Sequence, residues 1–243
     1  MKKRALITGS TRGIGRAIAL RLAHDGYHVI LHGANNRVKA EEVKTLITQQ
    51  GGSAEILIAD LTDTACTKQL CGQIGEIDVL VLNASVQYRN GWEHITTEEC
   101  EKQLNCNLVS SLLLIQAAAP HMKAQGWGRI VTIGSVQEAK PHPDMLVYSA
   151  SKAAQANMVK SLSLQLAKDG ITVNNVAPGV IYTDRNVDAL SDPAYAAKVT
   201  ASIPVGFYGE PKDCAGIVSL LCSEEGRYIT GQSIFVDGGK SVQ

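Results

Sequence analysis

The stretch Thr8-Gly9-Ser10-Thr11-Arg12-Gly13-Ile14-Gly15 decides the fold, because it joins the apolar run Ala5-Leu6-Ile7 to an amphipathic segment. A glycine at a strand end lets the chain turn sharply, and residues without a Cβ let backbone N–H groups and a helix N-terminus approach a pyrophosphate. The spacing is G-x-x-x-G-x-G rather than the usual G-x-G-x-x-G. Alone it is also typical of an ordinary tight connection, but its place at the first strand-to-helix junction predicts a dinucleotide-binding turn.

Seven short apolar runs recur along the chain and alternate with longer segments. Most are nearly continuous aliphatic runs, which is typical of strands covered by helices on both faces. The segments 14–24 and 108–122 between them have apolar residues at helical spacing. This pattern predicts an α/β fold: a single doubly wound Rossmann-type domain with a seven-stranded parallel sheet and helices on both faces. The runs are 5–7, 28–32, 56–59, 79–82, 129–133, 172–176 and 233–236.

The length of 243 residues suits one large α/β domain or two small ones. No stretch rich in Pro, Gly or Ser divides the chain, so one domain over residues 1–243 is predicted. The segment 182–208 differs from the rest, since it has weak periodicity and contains Pro193, Pro204 and Gly206. Long irregular segments in compact domains tend to be functional, so this one is predicted to be a substrate lid.

Composition excludes several classes of function. With 23 basic and 23 acidic residues the net charge is zero, which disfavours binding to nucleic acid or to anionic lipid. No apolar run approaches the ~20 residues needed to span a bilayer, and the run after Lys2-Lys3-Arg4 is too short for a signal peptide. The six cysteines form no C-x-x-C pair and the six histidines no H-E-x-x-H motif. We therefore expect reduced thiols, no metal site, a cytoplasmic location and a small-molecule partner.

The end of the second apolar run indicates which dinucleotide is bound. In NAD-selective folds an acidic residue there binds the ribose hydroxyls, but this run ends His32-Gly33-Ala34-Asn35-Asn36-Arg37. A guanidinium pairs with a 2′-phosphate that a carboxylate would repel. Arg12, inside the glycine turn, therefore favours NADP(H) over NAD(H). Arg37 fits a solvated charge at a helix start at least as well.

Tyr148 and Lys152 are four residues apart, which places them on one face of a helix. A free tyrosine has a pKa of ~10, and lowering it to ~7 takes roughly 4 kcal/mol of differential stabilisation, which a nearby ammonium helps to supply. Ser135 follows the fifth run, at the strand edge where ligands bind in open α/β sheets, and can hold a substrate oxygen. Alone, the pair is also typical of a surface helix, and the serine of a helix cap.

Taken together, the chain resembles the short-chain dehydrogenase/reductase family over nearly its whole length. No single motif is specific, but the set is. The matching elements are the turn 8–15, Asn83-Ala84, Asn107, Ser135, Tyr148, Lys152, Pro178-Gly179, Gly231-Gln232 and Val236-Asp237-Gly238-Gly239.

The resemblance implies roles for these residues. Asn107, Ser135, Tyr148 and Lys152 would form a catalytic tetrad, in which Tyr148 is the general acid/base and Asn107 holds a water in a relay from Lys152. Asp60 would contact adenine. One departure is Ser85, where the family commonly has glycine. The implied cofactor-binding residues are Gly9, Ser10, Thr11, Arg12, Gly13, Ile14, Gly15, Gly33, Asp60, Leu61, Asn83, Ala84, Ser85, Tyr148, Lys152, Pro178, Gly179, Ile181 and Thr183.

The function so predicted is NADP(H)-dependent hydride transfer between nicotinamide and a carbonyl or secondary alcohol. The substrate stays open between a ketoacyl thioester, a sugar or polyol and a small ketone, and the resemblance implies a homotetramer. Two alternatives remain: an NAD-linked alcohol dehydrogenase and a catalytically silent NADP(H)-binding module. Ser135, Gln137 and Tyr148 are the predicted substrate residues. Further pocket candidates are Tyr88, Trp92, Glu138, His142, Met145, Ile181, Tyr182 and Asn186.

Overall fold

The computed structural model describes residues 2–184, 186–187 and 191–243 and shows a parallel sheet of seven strands. Each predicted apolar run forms one of these strands, and the predicted architecture is confirmed. The strands are β1 Arg4–Ile7, β2 His28–Gly33, β3 Ser53–Ile58, β4 Val79–Leu82, β5 Gly128–Ile133, β6 Ile171–Pro178 and β7 Ser233–Val236. They lie in the order β3-β2-β1-β4-β5-β6-β7.

Helices cover both faces of the sheet, as the connections between parallel strands require. Between the fourth and the fifth α-helix the chain forms a π-helical turn, Asn105–Val109. The α-helices in the described part of the chain are α1 Gly13–His24, α2 Arg37–Gln49, α3 Thr64–Cys71, α4 Thr97–Leu104, α5 Ser110–Gln125, α6 Leu146–Leu166, α7 Pro193–Ala201 and α8 Pro211–Cys222.

The core has two halves, one on each side of the sheet. Successive strand residues point to opposite faces, so Ile7 packs with α1 and α8 whereas Leu6 packs with α5 and α6. Leu22 represents the first half, and Leu114 and Val159 the second; all are buried. This burial on both faces explains why the strands read as continuous apolar runs.

The strand order reverses between β1 and β4, because the chain first builds outward to β3 and then returns to the other side of β1. A crevice opens at such a switch point, outside the carboxyl ends of the strands. The glycine turn after β1 and the segment 83–91 after β4 therefore both lie at this crevice.

The predicted lid, 182–208, contains α7, and its two ends lie next to each other. Ile181 pairs with Gly209 as an isolated parallel bridge, and the rings of Tyr182 and Tyr208 stack with centroids 5.6 Å apart. The residues 185 and 188–190 of this segment lie outside the described part of the chain.

No helix in the described part of the chain is both long and apolar enough to cross a membrane, and no three metal-binding side chains there come together. All six cysteines are free thiols.

Candidate active site

A cleft of about 830 Å³ runs along the carboxyl ends of the strands. This volume is in the range of sites that take cofactor-sized ligands. Nearly all the residues predicted to bind cofactor or substrate line it, whereas Ser10, Asn107 and Lys152 lie behind its surface. The predicted residues that line it are Gly9, Thr11, Arg12, Gly13, Ile14, Gly15, Gly33, Asp60, Leu61, Asn83, Ala84, Ser85, Ser135, Gln137, Tyr148, Pro178, Gly179, Ile181 and Thr183.

The glycine turn packs so tightly against the residues after β4 that a side chain at Gly9 or Gly15 does not fit. Gly9 has a φ of +64°, and a Cβ on Gly15 would lie 2.3 Å from the carbonyl oxygen of Gly9. The Asn83 side-chain amide donates to the carbonyl oxygens of Thr8 and Gly9, at 2.9 and 3.1 Å. The start of α1 is thus left open to the cleft, as binding of a pyrophosphate requires.

His32, which the sequence did not single out, holds this turn from behind. Its Nδ1 accepts the Gly9 N–H at 3.2 Å, so its Nε2 donates to the carbonyl oxygen of Ala59 at 3.0 Å. Burial lowers the pKa of this imidazole to about 4, so the ring is neutral. Ser10 is also buried, and its hydroxyl accepts the His32 N–H at 2.9 Å rather than facing the cleft.

Two cations line the end of the cleft beside β2: Arg12, as predicted, and Lys39, which the sequence analysis missed. Lys39 lies in the first turn of α2, where a lysine looks like any solvated charge. Arg37 does not line the cleft; its guanidinium lies 3.5 Å from the Glu41 carboxylate instead. This end of the cleft can therefore bind an anionic group such as a phosphate.

Tyr148 and Ser135 lie at the other end, and both are largely buried. Ser135 begins a 3₁₀ turn directly after β5, and its hydroxyl oxygen accepts the Gln137 N–H at 3.2 Å. The Gln137 side chain lines the cleft, but its oxygen accepts the Ser149 hydroxyl at 2.8 Å and its nitrogen meets the sulfur of Met145 at 3.2 Å. Gln137 therefore already has partners within the protein.

Lys152 lies beneath Tyr148, and only 1% of its surface is exposed. Its ammonium is 5.8 Å from the centre of the Tyr148 ring. It donates to the carbonyl oxygen of Ile133 at 2.7 Å and to the side-chain oxygen of Gln155 at 3.3 Å. The ammonium of Lys152 and the ring of Tyr148 therefore lie next to each other.

Asn107 lies in the π-helical turn and is fully buried. Its side chain donates to the carbonyl oxygen of Val86 and to Ser151, both at 3.0 Å. Its own carbonyl oxygen accepts the Gln155 amide at 3.1 Å and the Ser111 hydroxyl at 3.3 Å. Both lone pairs of that carbonyl are thus taken by side chains, and Gln155 connects it to Lys152.

The segment 83–91 forms one wall of the cleft and is fixed to the helices behind it. The Val86 N–H donates to the Asn107 side chain at 2.9 Å, and the Tyr88 N–H to the Gln103 side chain at 3.3 Å. The Asn90 amide donates to the Glu99 carboxylate at 2.8–2.9 Å. Gln87 and Arg89, between these anchors, line the cleft.

The further pocket candidates divide into two groups. His142, Met145, Ile181 and Asn186 line the cleft, whereas Tyr88, Trp92, Glu138 and Tyr182 do not. Tyr182 stacks on Tyr208, and Glu138 accepts hydrogen bonds from Asn175 and Ser233 behind β5. Arg89 was missed, although it follows directly on the candidate Tyr88.

Comparison with known proteins agrees with this geometry. A family model described as enoyl-(acyl carrier protein) reductase matches residues 9–241. The chain is 40% identical over 243 residues to a 3-oxoacyl-[acyl-carrier-protein] reductase of Staphylococcus aureus, covering 98% of each chain. A 3-oxoacyl (acyl-carrier-protein) reductase of Agrobacterium tumefaciens with NADP bound superposes with a TM-score of 0.93 at 37% identity, covering 97% of this chain and 93% of the other.

A gluconate 5-dehydrogenase is similar to nearly the same degree. The structure of this enzyme from Burkholderia cenocepacia, in complex with NADP and tartrate, superposes with a TM-score of 0.92 at 31% identity. The match covers all of this chain and 97% of that one. Similarity therefore extends to proteins that act on a carrier-bound thioester and on a sugar acid.

Proposed function

Because the chain belongs to the short-chain dehydrogenase/reductase family, we propose that it is an NADP(H)-dependent oxidoreductase that interconverts a carbonyl group and a secondary alcohol. The observation that carries this proposal is the meeting of Tyr148 and Ser135 with the glycine turn in one cleft, with Lys152 directly behind the phenol. A catalytically silent binding module has no physical need for this combination.

The residues present fit a phosphorylated dinucleotide. The three glycines of the turn from Gly9 to Gly15 let a pyrophosphate approach the backbone, and Arg12 and Lys39 offer charge to a 2′-phosphate. Asp60 and Leu61 would contact the adenine, and residues 178–183 the nicotinamide amide. The NADP-containing relatives support this assignment over an NAD-linked dehydrogenase. When bound, the cofactor supplies or accepts the hydride.

The protein's own residues manage the proton that accompanies the hydride. The hydroxyls of Ser135 and Tyr148 hold the carbonyl oxygen of the substrate, and Tyr148 gives its proton to that oxygen as negative charge develops there. The Lys152 ammonium stabilises the resulting phenolate. In the oxidising direction, the phenolate of Tyr148 takes the proton from the alcohol.

The test is turnover of defined carbonyl substrates, followed by the loss of NADPH absorbance. Suitable candidates are 5-keto-D-gluconate and the N-acetylcysteamine thioester of acetoacetate, which represent the two classes of relatives. We expect turnover of at least one, with NADPH preferred to NADH in kcat/KM. Turnover that persists unchanged in Tyr148→Phe, or none with any carbonyl compound, contradicts the proposal.

We also propose a homotetramer that works in the cytoplasm. Support for assembly comes from the outer face of α6, where Ala150, Ala153 and Ala154 are exposed and Leu164 has 85% of its surface exposed. Small and apolar side chains on a helix face allow close packing of another copy. The six free thiols support a reducing compartment. Light scattering should give four times the chain mass, and Leu164→Glu should lower it.

A further inference from the structure

We infer that Arg89 and His142 form an anion-recognising subsite at the substrate end of the cleft, which selects small carbonyl or hydroxyl substrates that carry a carboxylate. The inference rests on the proposed function and narrows its substrate class. Both residues line the same cleft as Tyr148 and Ser135.

The backbone fixes the place of Arg89. The segment 83–91 is anchored through Asn107, Gln103 and Glu99, as described above. On its other side the Asn90 N–H donates to the carbonyl oxygen of Asp144 at 3.0 Å, which ties this wall to the turn that carries His142. The backbone segments that carry Arg89 and His142 are therefore held next to each other by hydrogen bonds.

The hydrogen bonds of His142 determine which ring nitrogen carries the proton. Nδ1 accepts the Asp144 N–H at 3.1 Å, where His142 caps the 3₁₀ turn Pro143–Met145. A neutral ring that accepts at Nδ1 carries its hydrogen on Nε2. This Nε2–H lies 3.4 Å from Nη2 of Arg89, which is also a donor. The Asp144 carboxylate lies beside the other nitrogen, 3.9 Å from Nδ1.

Two donors that face each other cannot satisfy one another, but an acceptor that lies beside them, within reach of both nitrogens, satisfies both. None of the described acidic side chains forms an ion pair with Arg89. A carboxylate has two oxygens, which match these two donors, and a planar guanidinium is well suited to bind it. A small carboxylate therefore fits the pair.

The charge around the subsite favours the same ligand. The basic side chains lining the substrate end are Arg89, Lys140 and Lys240, and the described acid lining it is Asp184; the Asp144 carboxylate does not line the cleft and lies beside Nδ1 of His142. Both lysines already have acceptors: Lys140 donates to the carbonyl oxygen of Gln243 at 2.8 Å, and Lys240 to the Ser202 hydroxyl at 2.6 Å. They add positive potential, whereas Arg89 supplies the contact.

The experiment compares substrates that differ only in charge, in matched pairs of carboxylate and amide. The pairs are D-gluconate with D-gluconamide, assayed with NADP⁺, and 4-oxopentanoate with its amide, assayed with NADPH. In at least one pair we expect wild type to prefer the carboxylate, and Arg89→Gln to lower kcat/KM for it about 10- to 100-fold, as loss of a charge-assisted hydrogen bond predicts. Turnover of the amide, which offers a neutral acceptor and no charge, should fall much less, and Arg89→Lys should restore part of the loss of carboxylate turnover.

Calorimetric binding of 4-oxopentanoate to the NADP⁺-loaded protein, which cannot transfer a hydride to this ketone, gives a second readout that needs no turnover. Arg21→Gln is the matched control, because it removes an exposed arginine that pairs with Asp25 on α1. It should leave both members of each pair unaffected.

Three outcomes overturn the subsite: no carboxylate preference in any pair, an equal loss of carboxylate and amide turnover in Arg89→Gln, or an equal loss with the neutral acetoacetyl thioester. The proposed function fails separately. If the carboxylates bind in an Arg89-dependent way while Tyr148→Phe turns over like wild type, the subsite stands and the catalytic assignment falls.

Discussion

The two ends of the cleft each present a histidine whose Nδ1 accepts a backbone N–H, and the difference between them lies at the other nitrogen. His32, at the cofactor end, donates from Nε2 to the carbonyl oxygen of Ala59, so its hydrogen bonds are complete within the protein. His142, at the substrate end, directs Nε2 toward another donor, Arg89. The complete set of hydrogen bonds of His32 indicates a structural role, whereas the two opposed donors of Arg89 and His142 indicate a binding site for an acceptor.

The same contrast extends to the surroundings of each histidine. At the cofactor end Asn83 and His32 donate to and accept from the glycine turn, so that the cleft meets preformed backbone. At the substrate end Arg89 and Lys140 are exposed side chains on connecting segments. Perturbing one end should therefore leave the other largely intact, which the following variants test.

Tyr148→Phe should have the largest effect, since it removes the proton donor and leaves the cofactor end unchanged. We expect kcat to fall by about 10²- to 10⁴-fold, the usual contribution of general acid–base catalysis. Binding of NADPH, measured by fluorescence titration, should be unaltered. Tyr88→Phe is the matched control, because that side chain does not line the cleft. Weakened NADPH binding in Tyr148→Phe would show that the two ends are coupled.

The buried imidazole of His32 should make folding stability depend on pH. Its folded pKa of about 4 is below the ordinary 6.5, so the unfolded chain takes up a proton that the folded protein refuses. The free energy of unfolding should therefore fall between pH 6.5 and 4, by up to about 3 kcal/mol from this group. Measured by urea unfolding across this pH range, the free energy of unfolding should fall less in His32→Asn than in wild type. In His24→Asn, which changes an exposed side chain, it should stay as in wild type.

Arg12→Ala and Lys39→Ala should each weaken NADPH binding about tenfold, because each removes one charged donor to the 2′-phosphate. Binding of NADH, which lacks that group, should stay the same. Arg37→Ala provides the control, since this arginine pairs with Glu41 outside the cleft. If Arg37→Ala weakens NADPH binding as much as the other two variants do, the assignment of the phosphate site is wrong.

Gln155→Glu should give the smallest change, a loss of several-fold in kcat at neutral pH, and it tests a residue that acts through Lys152. The added carboxylate offsets the ammonium, so the pKa that governs the pH profile of kcat/KM should rise. Gln155→Met, of similar size and uncharged, should lack this upward shift. Identical profiles in the two variants would reduce Gln155 to a packing role.

The sequence predicted the sheet, the glycine turn and the positions of Ser135, Tyr148 and Lys152, because each depends on local spacing or on the end of a strand. The missed residues depend on distant partners. Gln155 meets Asn107 across 48 positions, and Arg89 meets His142 across 53. Arg37 and Lys39 are two apart on one helix, and only the helical register decides which of them faces the cleft. Local patterns do not contain these pairings.

The rings of Tyr182 and Tyr208 stack beside the bridge between Ile181 and Gly209. This arrangement determines which part of the chain can be exchanged without disturbing the sheet. These contacts hold the two ends of the predicted lid together, so the span between them leaves the sheet and returns to it at one place. For such a span, doubling its length costs only about 0.6 kcal/mol in closure entropy. Replacement of residues 184–207 as one cassette would therefore alter the cleft lining around Asn186, Tyr195 and Val199 while Thr183 and the glycine turn are retained.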